Sequence, residues 1–225
     1  MTKDFARGFS LIELIILIAF LSILASFVYP VLLFALERAK ITQDLNNLRQ
    51  IGLATQTYLS DNDNNLFSSG TSWMSQLHPK YLPGWNIFQS PFDTRAPSEG
   101  GILAPVSPIS YGINLNVYPN NVAISADKIS KSTIFILFAP AQAAGATVTF
   151  SGLATTGAPG VTVLGNGGGT ATSVPGGAAT AGTHSSRTKI NALFADLHSE
   201  NMTWSVFTNN TNSPSDPSSA QRWSP

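Results

Sequence analysis

At 225 residues, with 12 Lys and Arg against 12 Asp and Glu, the chain suits one domain with an appendage, and it lacks the cation excess that a nucleic-acid binder uses to displace counterions. With no cysteine it has no disulfide framework, thiolate nucleophile, Cys-based zinc site or lipid-modified cysteine. Only 11% of the residues are charged, against roughly 25% in an ordinary soluble domain, and the apolar surplus is concentrated at one end.

That end is the segment 14–36, apolar except for Ser22, Ser26 and Pro30. As a helix of about 23 residues it is long enough to cross a bilayer, and too long for the apolar core of a signal peptide, which runs about 7–15 residues. Glu13 stands at its start, where an ionised carboxylate facing lipid is costly and calls for a partner. Beyond the span, Ile41, Leu45, Leu48, Ile51, Thr55 and Leu59 recur at spacings of three and four, so the helix is expected to continue through 37–60 and pack that stripe on a head. On this reading Asp44, Asn47, Arg49 and Gln50 occupy the opposite, polar face. The run 61–65, Asp-Asn-Asp-Asn-Asn, ends the helix in a turn. Asp61, Asp63 and Asn65 also alternate like calcium-loop oxygens, but Leu66 stands where that loop needs glycine and Ser72 where it needs a bidentate Glu.

In the head, 61–207, the segments 110–118, 133–138, 147–150, 160–164, 189–195 and 202–207 read as strands of an antiparallel sheet packed on the helix. Trp73, Leu77, Tyr81, Leu82, Trp85, Ile87 and Phe88 are expected to fill the space between helix and sheet, with a partner-binding or carbohydrate-binding surface as the alternative. His78, before Pro79, reads as a surface loop residue. The segment 151–183 holds 10 of the 18 glycines and no charge, and reads as a flexible insertion or ribbon. Its Gly165–Thr170 stretch lacks the Gly-Lys-Ser/Thr ending of a phosphate loop. The tail, 208–225, is polar and expected to be disordered or to lie on the surface.

Gly8-Phe9-Ser10-Leu11-Ile12-Glu13-Leu14, between a short basic leader and a long apolar helix, resembles the prepilin processing site of type IV pilins and type II secretion pseudopilins. The resemblance implies removal of the leader 1–8 by a prepilin peptidase between Gly8 and Phe9, with N-methylation of Phe9. It also implies that Glu13 meets the methylated amine of a neighbouring subunit during assembly, and that 9–36 forms first a membrane span and then a filament core. Pro30 matches the helix-loosening proline of many pilins, since it removes one ladder hydrogen bond. Further matches are Asn47-Leu48-Arg49-Gln50-Ile51-Gly52-Leu53 with Tyr58 and Asp61-Asn62-Asp63, then Ser90-Pro91-Phe92-Asp93, and Ser110-Tyr111-Gly112-Ile113-Asn114.

His184, Asp196 and His198 are similar to the C-terminal hairpin motif of pilin-like proteins written as His, nine residues, Asp-Gly-His. Two departures stand out: eleven residues separate His184 from Asp196, and Leu197 replaces the turn glycine, which leaves open a turn displaced to 198–201. The three side chains read as structural hydrogen-bonders, with metal ligation or catalysis as alternatives that require them to converge.

The expected fold is therefore α+β and pilin-like, a long N-terminal helix packed on an antiparallel head. The expected function is that of a non-enzymatic filament subunit of a type IV pilus or type II secretion pseudopilus, without cofactor or metal. Its implied partners are membrane lipid, copies of itself or other pilin-like subunits, prepilin peptidase and an inner-membrane assembly platform; no nucleic acid is expected. The implied location is the bacterial inner membrane, single-pass, with the head outside the cytoplasm. Charge alone leaves that orientation undecided, since Lys3 and Arg7 precede the span and Arg38, Lys40 and Arg49 follow it. The absence of the two C-terminal cysteines many pilins use favours the pseudopilin, and the alternative is a membrane-anchored surface binding protein that does not polymerise.

Overall fold

A computed structural model of the chain describes residues 9–67, 72–93, 110–117, 124–140, 149–150, 162–163, 172–173, 182–209 and 217–223. It falls into two units, Met1–Ala39 and Lys40–Pro225.

Helix α1 runs from Leu11 to Asp61, about 75 Å at 1.5 Å per residue. Every residue from 9 to 36 is exposed, and this part of the helix is long and apolar enough to cross a membrane. Its two mid-span serines bond back to the helix: Ser22 Oγ donates to the Ile18 carbonyl and Ser26 Oγ to the Ile23 carbonyl, each at 2.7 Å. Neither therefore needs water. The helix continues across Pro30, which takes one donor out of the ladder without ending it.

In the second unit α1 buries Asp44, Asn47, Leu48, Ile51, Gly52, Ala54, Thr55 and Tyr58. The expected stripe is rotated: Asp44 and Asn47, read from the sequence as solvent-facing, are buried, while Ile41, Leu45 and Leu59 are only half-buried. The helix ends where its closing turn expects, with Asp63 and Asn64 at φ 50° and 59°, conformations that Asn and Asp tolerate best after glycine.

The main sheet has the order β3-β1-β2-β6-β7, formed by β1 (Tyr111–Asn114), β2 (Ile136–Pro140), β3 (Thr149–Phe150), β6 (Lys189–Phe194) and β7 (Ser199–Thr203). Four of these strands pair antiparallel, and the two-residue β3 adds a parallel edge to β1. Strands β4 (Thr162–Val163) and β5 (Thr172–Ser173) form a separate antiparallel ribbon within the Gly-rich segment; the rest of 151–181, including the Gly165–Thr170 stretch, lies outside the described residues. The fold is thus α+β.

The aromatic segment after α1 is core, as expected, but it is partly helical. Ser72 caps α2 (Trp73–Leu77) by accepting from the Ser75 N–H, and a 3-10 turn spans Trp85–Phe88. Trp73 is fully buried against Phe67, Phe88 and Phe138. His78 stacks on Trp85 with centroids 4.4 Å apart, so it is half-buried and not a free surface residue.

Two further expectations are corrected. The strand expected over 202–207 stops at Thr203, where the side chain accepts from the Val206 N–H and starts α3 (Trp204–Thr208). Helical spacing lets both Trp204 and Phe207 be buried, which alternation would not allow. The tail is not simply disordered, since Trp223 is buried edge-on against Phe207 at 5.0 Å and its carbonyl accepts from Asn116 Nδ2.

Where helix meets sheet, a Cβ at Gly52 would lie 3.2 Å from Leu193 Cδ2 and 3.6 Å from Leu197 Cδ2. The helix can approach β6 this closely only without a side chain there. Gly52→Val is expected to destabilise the C-terminal unit by about 1–3 kcal/mol through overpacking, read as a lowered denaturant midpoint.

Candidate functional site

The residues singled out by the sequence fall in three places. Of the processing residues, Gly8 lies outside the described residues. Phe9 is 79% exposed and Glu13 follows one helical turn later on the same face. The Leu14 N–H donates to the Ser10 carbonyl at 3.2 Å, while Glu13 Oε2 accepts the Ser10 N–H at 2.9 Å. This is the back-reaching half of a capping box. The signal was present in the sequence as Ser10-x-x-Glu13, so the acid has a local helix-starting role in addition to any intermolecular one. Phe9, Glu13, Ile16, Leu17 and Phe20 line a shallow, mainly apolar depression.

The C-terminal triplet does not converge. The β6–β7 hairpin pairs Lys189 with Thr203 at one end and Leu193 with Ser199 at the other. His184 bridges to Lys189 at the first end, whereas Asp196 and His198 form the turn at the second. The turn is therefore at 195–198 and not displaced to 198–201. Leu197 supplies the left-handed conformation, φ 72°, that a turn glycine normally provides. Asp196 Oδ1 accepts from the His198 N–H at 3.2 Å and contacts His198 Nδ1 at 2.5 Å. His184 is buried, stacked on Phe92 at 5.2 Å, with its Nε2 2.5 Å from Asn201 Nδ2. Among the described residues no group of three or more His, Asp or Glu is placed to hold a metal ion.

Of the calcium-like run, Asp61 is engaged by a cation of the chain. Asp61 Oδ2 accepts from Lys80 Nζ at 2.7 Å and from the Tyr81 hydroxyl at 2.9 Å, and these donors hold its carboxyl below the usual range. Asn64 Nδ2 donates to Asp127 Oδ1 at 2.6 Å.

Of the two helix residues that sequence reasoning placed on the wrong face, Asp44 and Asn47, Asp44 carries the charge. Its carboxylate is fully buried and accepts from Ser90 Oγ at 2.5 Å and the Tyr111 hydroxyl at 2.6 Å through Oδ1, and from Asn191 Nδ2 at 2.7 Å through Oδ2. Asn201 Nδ2 in turn donates to Asn191 Oδ1 at 2.6 Å, which fixes the orientation of the Asn191 amide. Asp44 thereby ties α1 to the 90–93 loop, β1 and β6. No cation compensates it among these partners, so burial raises its carboxyl above the ordinary value near 3.8 while the three donors pull it down. Tyr111 is pushed up in turn by burial and by the adjacent carboxylate.

Comparison of the chain with family models, with curated proteins and with solved structures gives no match.

Two outcomes follow for Asp44. Asp44→Leu leaves three buried donors unsatisfied and is expected to cost more than about 3 kcal/mol, whereas Asp44→Asn, which mismatches one donor, costs about 1–3 kcal/mol. The pH dependence has a definite sign. Because the folded-state value is raised, the native state holds a proton that the unfolded state releases. Stability from this group is therefore fully present below about 3.8 and is lost as pH rises through the raised folded value. Urea midpoints of wild type minus Asp44→Asn should fall across that window as pH increases.

Proposed function

We propose that the protein is a pilin-like filament subunit, of a type II secretion pseudopilus or a related type IV pilus. On this reading it is made with the leader 1–8, cleaved after Gly8 by a prepilin peptidase, methylated at Phe9 and assembled through α1. The observation that carries the reading is the pairing of Phe9 and Glu13 on one face at the start of a membrane-length helix, exposed over all of 9–36. Such a surface requires cover, from lipid before assembly and from neighbouring helices after it.

Helices leaving lipid gain little from the hydrophobic effect, because lipid tails are as apolar as leucine; close packing and polar pairing decide association. Glu13 is the single acid of the 9–36 segment. Once the Phe9 amino group is freed by cleavage, a carboxylate four residues away on another subunit's helix supplies its counter-charge. The pair repays its desolvation only at the correct axial register. In the uncleaved chain the Ser10 N–H satisfies one Glu13 oxygen, which lets the acid wait at the helix start. In this proposal the C-terminal unit lies outside the cytoplasm, and the inner-membrane assembly platform delivers subunits to the growing filament.

Mass spectrometry of the protein recovered from membranes or sheared surface material is expected to give an N-terminal peptide beginning at methylated Phe9. Glu13→Leu should still insert in the membrane and fold, yet be lost from sheared filaments. A peptide beginning at Met1, together with unimpaired function of Glu13→Leu, would replace the filament reading with an anchored protein that does not polymerise.

A further inference from the structure

We propose that the cleft beside the β6–β7 turn binds a sugar acid, a pyranose bearing a carboxylate of the uronic-acid class. The inference is independent of the filament reading, since all the residues it uses belong to the C-terminal unit. The cleft encloses about 440 Å³ and is lined by Arg49, Asp196, Leu197, His198 and Ser199, a size within the roughly 300–1,000 Å³ of small-ligand sites.

Its chemistry is specific. Arg49 is exposed on α1 and makes no ion pair or hydrogen bond with any described residue, Asp196 included. Its five donors in a planar fork are thus available, and that fork matches a carboxylate in a bidentate manner. Asp196 directs Oδ1 to the His198 N–H and Nδ1, leaving Oδ2 as an acceptor. The His198 ring is held from two sides, by that contact and by the Phe194 ring, 4.2 Å away and 8° from parallel. With Nδ1 turned to Asp196 Oδ1, His198 keeps its second ring nitrogen, Nε2, as a further hydrogen-bonding atom. The left-handed Leu197 sets the turn that carries both.

One forked cation beside a carboxylate oxygen and an imidazole nitrogen selects the ligand. A singly charged carboxylate satisfies Arg49, and hydroxyls on the same molecule, which donate or accept, satisfy Asp196 and His198, while Leu197 offers an apolar edge to ring C–H groups. A phosphate dianion meets stronger repulsion from Asp196 than a monoanionic carboxylate does, and a neutral sugar leaves the guanidinium unmatched.

The test uses the full chain in detergent micelles, with glucuronate, glucose, acetate and inorganic phosphate as probes. Binding is read from the imidazole NMR signals of the three histidines, with His198→Gln for assignment. Glucuronate is expected to shift the His198 signal saturably at millimolar concentration, leaving His78 and His184 unmoved, and glucose to have no effect. Arg49→Gln should weaken glucuronate by about tenfold or more, the loss of a charge-assisted hydrogen bond, and Arg49→Lys should fall between. Both replace an exposed side chain, and unchanged thermal midpoints would show the fold intact. Absence of a His198 shift with glucuronate, acetate or phosphate binding as tightly as glucuronate, or undiminished affinity in Arg49→Gln would each overturn the proposal.

Discussion

The C-terminal unit is organised around one buried carboxylate. Placing Asp44 in the interior costs several kcal/mol in desolvation, and the structure offsets this with donors from three separate pieces of chain, Ser90, Tyr111 and Asn191. A hydrophobic stripe would hold α1 against the sheet with tolerance for sliding, because apolar contact is non-directional. Three hydrogen bonds to one carboxylate allow a single register. Displacing the helix by one turn would strand an acid among apolar side chains and leave a serine, a tyrosine and an asparagine without acceptors.

That same interaction explains where the sequence misled. A periodicity argument assigns Asp44 and Asn47 to the solvent face because acids and amides are usually exposed, and nothing local marks Asp44 as an exception. Its partners lie 46, 67 and 147 residues away, beyond any local pattern. Features carried by local chemistry were legible: the long apolar run that becomes the exposed part of α1, the Asn and Asp run that ends it, the strand read at 189–195 that forms β6, and the core role of Trp73, Leu77 and Phe88. Features decided by tertiary burial were not. Trp204 and Phe207 look like strand residues until both must face inward, and the polar tail conceals Trp223, which is buried edge-on against Phe207.

The candidate sites divide in the same way. Phe9 and Glu13 are readable because their meaning depends on short spacing next to an apolar run, and the capping contact from Ser10 could have been read from that same spacing. Asp196 and His198 were identified, but grouped with a histidine that belongs to the far end of the hairpin. Arg49 was legible only as one residue of the matched segment 47–53 and of the polar helix face. Its place beside the β6–β7 turn, in one cleft lining with Asp196 and His198, is set by the tertiary fold.

The turn shows why a leucine stands where the hairpin motif has glycine. A glycine would reach φ 72° at no steric cost, whereas a leucine in that region pays on the order of 1–3 kcal/mol. The Leu197 side chain lies toward α1, where a Cβ on Gly52 would stand 3.6 Å from its Cδ2. The tight neighbour of that same position is Leu193, at 3.2 Å, so the missing side chain on the helix makes room for β6, and the turn lies beside the gap so created. A glycine at 197 would relax the backbone but remove the apolar side chain that the turn carries toward the helix. The strain is the cost of attaching a two-residue polar constellation to a rigid element, and it falls at the point where the two walls of the cleft join.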